Sequence, residues 1–276
     1  MNKNLLIYCV TNKDLAFLRK LEYKLAAVGK NKFSSDYINS DNLDNIFYKE
    51  EFYSELTFHY WFWKNELKKF IHRDDLWIGF CQKRRFWLQN KKNVEINFEN
   101  INDYLLKEIP EEWKNYDAII CEPIRVEVNK ISKLIKKGWR NLLKDPTIFF
   151  DKRKHSIKLH FDMYHGYGLL DKAIKKMDDK NKFKFQNFVN YSNIFNPHIM
   201  LIAKPKILDL WFHDLFEWLF ECEKIFKFDN LKDYETKRLY AYLAERYLSY
   251  WITEHTRYKE WPYIFYDSEK KNIYED

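Results

Sequence analysis

Two arginines, Arg84 and Arg85, close an apolar run from Trp77 to Cys81, with Lys83 just before them and Phe86 and Trp87 just after. A short strand that ends this way carries fixed positive charge to the edge of a sheet where open α/β folds hold ligands. Guanidinium groups are planar forks that meet phosphate oxygens two at a time, so the chemistry that fits is capture of a diphosphate. The competing reading is a solvated basic turn, against which both aromatic flanks count. Upstream, Glu55 and His59 stand four residues apart in the aromatic stretch from Tyr53 to Asn65. A carboxylate and an imidazole among aromatic rings are costly to bury without partners, so Glu55 suits a sugar or ribose hydroxyl; an internal helix pair is the alternative. A third group is His160-Phe161-Asp162-Met163-Tyr164-His165-Gly166, which reads as a loop dense in acid-base groups. Asp162 can serve there as a base, orient a substrate or cap a helix. The two histidines are five residues apart and no His-Glu-x-x-His pattern occurs, so zinc is not expected. Finally Glu245 lies beside Arg246 with Tyr242, Ser249 and Ile252 on its helical face. Such a setting can bury a carboxylate and set its pKa, or pin a helix through an ion pair.

The elements that must position these groups follow from hydrophobic spacing. Leu5 to Thr11 reads as a strand, then Leu15, Leu18, Leu21 and Leu25 as a helix ended by Gly29, then 31–45 as a polar loop. The aromatic helix begins near Glu50; its stripe of Phe52, Leu56, Tyr60, Trp63 and Leu67 reads as core. Further strands are expected at Trp77 to Cys81, Asp117 to Cys121 and Ile199 to Ala203, with a basic helical segment through Ile131, Leu134 and Ile135 after Pro123. Pro205 opens a helix carrying Leu208, Trp211, Phe212, Leu215 and Leu219. The last long helix is expected from Asp233 through Leu239, Leu243, Tyr247 and Trp251, leaving a tail after Thr256. Strands alternating with helices predict an α/β fold with a mainly parallel sheet covered by helices.

The 276 residues suffice for one large unit with a full core. With 32% charged residues and only 5 Gly and 6 Pro, the composition is globular, without linker or repeat character. No apolar run approaches the ~18 residues that a membrane span needs, and the chain opens on a strand rather than a leader, so a cytoplasmic protein is expected. The formal charge of +7 favours anionic partners: nucleotides, nucleic acid or the inner face of a membrane. Cys9, Cys81, Cys121 and Cys222 lack metal-ligand spacing and read as buried, inert thiols.

Several separated motifs, in order, give the chain a resemblance. They are Tyr53-Ser54-Glu55-Leu56-Thr57 with Tyr60-Trp61 and Trp63-Lys64-Asn65; Ile78-Gly79 with Arg84-Arg85; Asn196-Pro197-His198 with Met200; and Leu243-Ala244-Glu245-Arg246. With them the chain resembles, over nearly its whole length, a bacterial family of nucleotide-sugar glycosyltransferases of capsule and lipopolysaccharide biosynthesis, long labelled a domain of unknown function. Cys81-Gln82-Lys83 departs from the His-Tyr pair that relatives commonly carry before the arginines. The resemblance implies a single GT-A-like domain over residues 1–276, with a nucleotide-sugar-binding half, 1–123, and a helix-rich acceptor half, 124–276. It implies a donor, most simply a UDP-sugar, and a saccharide or lipid-linked saccharide acceptor in capsular polysaccharide or lipooligosaccharide assembly.

Glycosyl transfer needs a stabilised diphosphate leaving group, a base for the attacking hydroxyl and exclusion of water. In the resembled fold, Thr11 and Asn12 follow the first strand, where base and ribose are met, while Lys30, Asn45 and Lys49 lie in the loop leading to the aromatic helix. Arg84 and Arg85 become the diphosphate clamp. Glu245 and Asp162 are the candidate bases, inverting chemistry by one base being favoured, and His160, His165, His198 and Arg246 are candidate contacts to acceptor or diphosphate. No Asp-x-Asp follows the relevant strand, since Asp74-Asp75 precedes it. No metal residue is therefore assigned, although Mg or Mn stays open, and fixed cations are expected to do much of a metal's electrostatic work. Two other readings remain: a nucleic-acid-binding protein using basic and aromatic residues, against which the core spacing of the aromatics counts, and peripheral contact with the inner membrane face.

Overall fold

Leu5–Thr11 folds as the first strand, β1, of a ten-stranded sheet in a computed structural model that describes residues 3–90, 96–126 and 131–274. All of β1 except Leu6 is buried, which explains its unbroken apolar sequence: both faces of the strand are covered. β2 (Lys24–Ala27) and β3 (Tyr37–Asn39) continue parallel on one side, and β4 (Trp77–Gln82) lies parallel on the other, Cys9 opposite Cys81 and Val10 opposite Gln82. The strand order therefore reverses between β1 and β4. Lys83 and Arg84 turn β4 into the antiparallel β5 (Arg85–Trp87).

The chain divides into two compact units, Met1–Glu122 with His198–His213 and Ile252–Asp276, and Pro123–Pro197 with Asp214–Trp251. The large sheet belongs to the first. It is completed by β6 (Ala118–Cys121), while β7 (Ile124–Arg125) and β8 (Ile194–Phe195) form a small separate ribbon in the second unit. β9 (Leu201–Ala203) lies antiparallel between β4 and β6, and β10 (Tyr258–Trp261) runs parallel to β6. Along the main path of the sheet, six strands thus share one direction and β9 runs against them. β11 (Tyr263–Asp267) pairs with β5 and with β12 (Asn272–Tyr274).

On one face of the sheet, Phe62 of the helix Leu56–Asn65 packs on Tyr8 and Phe80, with ring centroids 5.0 and 5.4 Å apart. On the other, Ile7, Cys9 and Cys81 join a core around Trp87 and Trp113. Gly79 is required where β9 lies beside β4, because a Cβ there would stand 2.6 Å from Cγ1 of Ile202, its partner across the pair. All four cysteines are buried, and none is in a disulfide.

Several sequence expectations need correction. The leucines from 15 to 25 do not make a helix: a short 3-10 turn, Leu18–Lys20, leads into β2, because the amides of this segment pair with β1 and sheet pairing overrides a helical spacing. Gly29, with φ 78°, turns the chain after β2 and does not end a helix. β3 lies inside the stretch read as a loop, and β10 to β12 inside the stretch read as a tail. The aromatic helix is broken at Ser54, φ 51°, into Glu50–Tyr53 and Leu56–Asn65, and it is buried nearly all round rather than along one stripe. Tyr53, Phe58 and Phe62 are its fully buried rings, whereas Phe52 and Trp63 are only half-buried.

In the second unit, the stretch from His160 to Gly166 is not a loop but the last turn and exit of the helix Ile157–Tyr164, capped by the Ser156 hydroxyl, which accepts from the Leu159 amide at 3.2 Å. Asp233 precedes a single turn, Tyr234–Lys237, and the long helix starts later, at Leu239–His255. Pro205 opens the helix Pro205–Glu223 as expected. The second unit's core gathers Phe185, Trp218 and Tyr247, with Trp218 and Tyr247 5.0 Å apart, and Trp251 donates to Asp214 at 2.8 Å.

Candidate functional site

The carboxyl ends of β2, β1 and β4, together with the start of the reversed β9, bring one set of predicted residues to a single edge of the sheet. Thr11 ends β1, and its hydroxyl, which is buried, donates to the Lys13 carbonyl at 2.7 Å while accepting the Lys13 amide at 3.0 Å. That turn presents Asn12, whose backbone carbonyl accepts from the side chain of Asn31 at 2.6 Å and whose side-chain oxygen accepts from the Lys83 ammonium at 2.5 Å. Residues of β1 and β4 thus meet where the strand order reverses, the position at which open α/β sheets leave a crevice. Gln82, the last residue of β4, donates to the Glu55 carboxylate. Arg84 reaches Asp267 of β11 at 3.3 Å, and Arg85 lies over the Phe265 ring, 4.1 Å from its centroid.

Asp267 anchors this turn through Arg84. Burial pushes its pKa up, but the amides of Lys270 and Glu269 and the Arg84 guanidinium outweigh that and leave it below the usual carboxylate value. Its partners reach outward in turn, since Glu269 pairs with Lys13 at 2.9 Å.

After β2, Gly29 brings the backbone against the Glu50 carboxyl group, which would stand 3.2 Å from an added Cβ, and Lys30 follows, exposed. Lys49 is buried with its ammonium 5.6 Å from the Tyr53 ring centroid. Asn45 is engaged in its own loop: its amide donates to the Leu43 and Asn42 carbonyls and its oxygen accepts from the Phe47 amide. His198, φ 62°, precedes β9 with its ring 5.6 Å from that of Tyr263; because β9 is reversed, it lies at the same sheet edge as Lys83 and Arg84.

The donor set at this edge does not by itself fit a divalent ion, because β4 ends on the Gln82 amide, three cations follow it, and, among the described residues, the one carboxylate against Gln82 is that of Glu55. Asp74 and Asp75 precede β4 at its other end, where Lys206 and Arg73 hold them at 2.8 and 2.9 Å. Among the described residues, no group of three or more His, Cys, Asp or Glu side chains is placed to hold a metal.

The second unit gathers the remaining candidates around Arg246. Its guanidinium pairs with Glu245, lies 4.1 Å from the centroid of the Phe195 ring, and stands 3.4 Å from Nδ1 of His160 and 3.4 Å from Nε2 of His165. Burial, then the Arg246 charge, pushes the His160 pKa down to about 3, so the ring is neutral at pH 7 and its Nδ1 can accept from the guanidinium. Burial also draws the Arg246 pKa down, opposed by Glu245; the group keeps its charge. Tyr242 stacks on His165 at 3.8 Å. Asp162 is buried one helix turn away from Lys158, with Oδ2 accepting from that ammonium at 2.6 Å and Oδ1 from the Gly168 amide at 2.9 Å, so both oxygens are engaged in fixing the helix exit.

Sequence reading did not single out Asn31, Glu50, Gln82, Asp267 or Phe195 as site residues. Gln82 carried a signal, as the residue standing where the resembled family differs; Asp267 carried none, since it lies in the stretch taken for a tail.

Parallel strands around a switch point, one reversed strand and cations at the carboxyl edge define a GT-A-like α/β fold. The chain belongs to the family of DUF4422, a domain of unknown function, which it matches over residues 6–256. A solved structure of the WbbM bifunctional glycosyltransferase in its apo form superposes with a TM-score of 0.70 at 22% identity over 94% of this chain. This chain spans only 45% of that protein's length. A core-mannan synthase A from Aspergillus fumigatus, solved with Mn and GDP, aligns over 90% of this chain and 70% of its own at 10% identity, with a TM-score of 0.32. No curated protein matches the sequence.

Proposed function

We propose that the protein is a glycosyltransferase that moves a sugar from a nucleoside diphosphate sugar, UDP-linked, to a saccharide or lipid-linked saccharide hydroxyl in bacterial capsular polysaccharide or lipooligosaccharide assembly in the cytoplasm. The observation that supports this most is the meeting of Asn12 with Lys83, beside Gln82 and Arg84, at the carboxyl ends of adjacent parallel strands where the strand order reverses. Thr11 and Asn12, with Lys30 and Lys49, are assigned to the nucleoside and its ribose, and Glu55, aligned by Gln82, to a donor hydroxyl. Lys83, Arg84, Arg85 and His198 are assigned to the diphosphate, whose negative charge grows as the glycosidic bond breaks and is stabilised by cations already in place. Glu245 is the proposed base for the attacking hydroxyl, with Arg246 and the neutral His160 setting its position. Asp162, with both oxygens engaged, is assigned to positioning that helix.

Donor binding tests the proposal most directly. UDP at a hundredfold excess over its dissociation constant should stabilise the protein by ~2.7 kcal/mol, seen as a higher melting temperature, and single-stranded DNA should not compete. Absence of a shift with every nucleoside diphosphate rejects the reading.

A further inference from the structure

The helix Ile131–Lys144 divides its circumference into three sectors. Leu134 and Gly138 face inward, Leu134 being 2% exposed in a cluster with Leu159 and Met163, and a Cβ on Gly138 would meet the Met163 sulfur at 3.4 Å. Ile135, Trp139 and Leu143, spaced four apart and so stacked on one face, point outward and are 53%, 50% and 74% exposed. Phe150, in the turn that follows, is 84% exposed. One position along from each apolar residue stand Lys136, Arg140 and Lys144, a cationic row beside the apolar one.

These cations are not committed to carboxylates within the protein. Arg140 and Lys144 rest over the Tyr167 ring at 5.4 and 5.2 Å, and among the described residues Lys136 has no ion-pair partner. The nearby acids are already neutralised, Asp145 by Lys154 at 2.6 Å and Asp151 by Arg153 at 2.9 Å. Exposed apolar residues usually occur singly; a row of large ones rimmed by like charges marks a surface that meets something. The chemistry of the rows selects the occupant. Aliphatic chains and an indole enter the boundary between lipid headgroups and acyl chains, and lysine and arginine pair with anionic headgroups.

We propose that this face of the helix Ile131–Lys144, with Phe150, docks the protein on an anionic phospholipid bilayer, lying in the interface rather than crossing it. Docking needs no nucleotide and stands independently of the catalytic reading. The test is flotation of the purified protein with vesicles of phosphatidylcholine containing phosphatidylglycerol, against phosphatidylcholine alone. We expect binding to the anionic vesicles only, and its loss at about 0.5 M salt, where screening shortens the reach of surface charge. The variants I135S/W139S/L143S and K136E/R140E/K144E should each bind at least tenfold more weakly with unchanged melting temperatures, since all six side chains are on the outer face. Wild-type protein that fails to float with anionic vesicles at low salt overturns the proposal. So does undiminished flotation of both variants, or a dimer, abolished by the apolar variant, in protein that does not float.

Discussion

The carboxyl edge of the sheet and the surroundings of Arg246 both collect charge, but they hold it in opposite ways. At the sheet edge the cations are partly open to water: the Arg84 side chain is 44% exposed and reaches Asp267, and Lys83 reaches the Asn12 side chain. Around Arg246 the guanidinium side chain is 2% exposed and enclosed by a carboxylate, two imidazoles and aromatic rings. Exposed pairs are worth ~0–1 kcal/mol, so such cations can exchange a protein carboxylate or amide for a ligand phosphate at little cost. A buried pair is committed, because removing either member strands the other.

The largest effect should therefore come from Arg246→Ala, which leaves the Glu245 carboxylate and two imidazoles around an empty volume. A loss of ~3–5 kcal/mol of unfolding free energy is expected in denaturant titration; a loss under ~1 kcal/mol breaks the contrast between the two regions. Glu245→Gln sharpens it, because the amide keeps the shape and an acceptor oxygen for the guanidinium. If Glu245 is the base, this variant loses turnover by about a hundredfold or more while its melting temperature falls far less than that of Arg246→Ala. Comparable losses of stability in both variants would instead make Glu245 a structural partner.

Acid should weaken both regions through one buried histidine in each unit. Burial holds the pKa of His59 at about 3, among Phe80 and Phe212, and burial with the Arg246 charge does the same for His160. In the unfolded chain these rings titrate near roughly 6.5, so below that pH the unfolded state takes up protons that the native state refuses. Stability is then fully present above about pH 6.5 and falls as pH drops toward 3, by ~1.4 kcal/mol per pH unit for each histidine. Urea titrations at pH 7.5 and 5.5 should show the loss, and His59→Leu should remove one proton's share of it. A stability that does not change between those pH values would show that the rings are accessible to protons in the folded protein.

What could be read from the sequence follows the same division between local and distant causes. β1, β4, β6 and β9 were legible because a strand covered on both faces must be apolar throughout, and the cations after β4 were legible because they directly follow such a run. β2 was not: the spacing of Leu15, Leu18, Leu21 and Leu25 fits a helix, and only the amides of β1 opposite Leu25 and Ala26 decide otherwise. Asp267 lies 183 residues from the Arg84 it pairs with, and His160 lies 86 residues from Arg246, so no local pattern could announce either contact. The helix around Asp162 was hidden by its polar residues, which suggest a loop until Ser156 is seen capping its start.

The smallest change in stability, and the one that bears most on function, is expected at the sheet edge. Lys83→Ala removes the ammonium that holds the Asn12 side chain, and Arg84→Ala removes the partner of Asp267. Because these groups are only part-buried, each variant should lose no more than ~1 kcal/mol of stability. If the cations serve the donor diphosphate, however, UDP affinity should fall about tenfold in each, equivalent to ~1.4 kcal/mol, and further in the double variant. Isothermal titration separates the outcomes: affinity that falls while stability holds identifies cations kept available for a ligand, whereas unchanged affinity would make Lys83 and Arg84 no more than braces for the turn between β4 and β5.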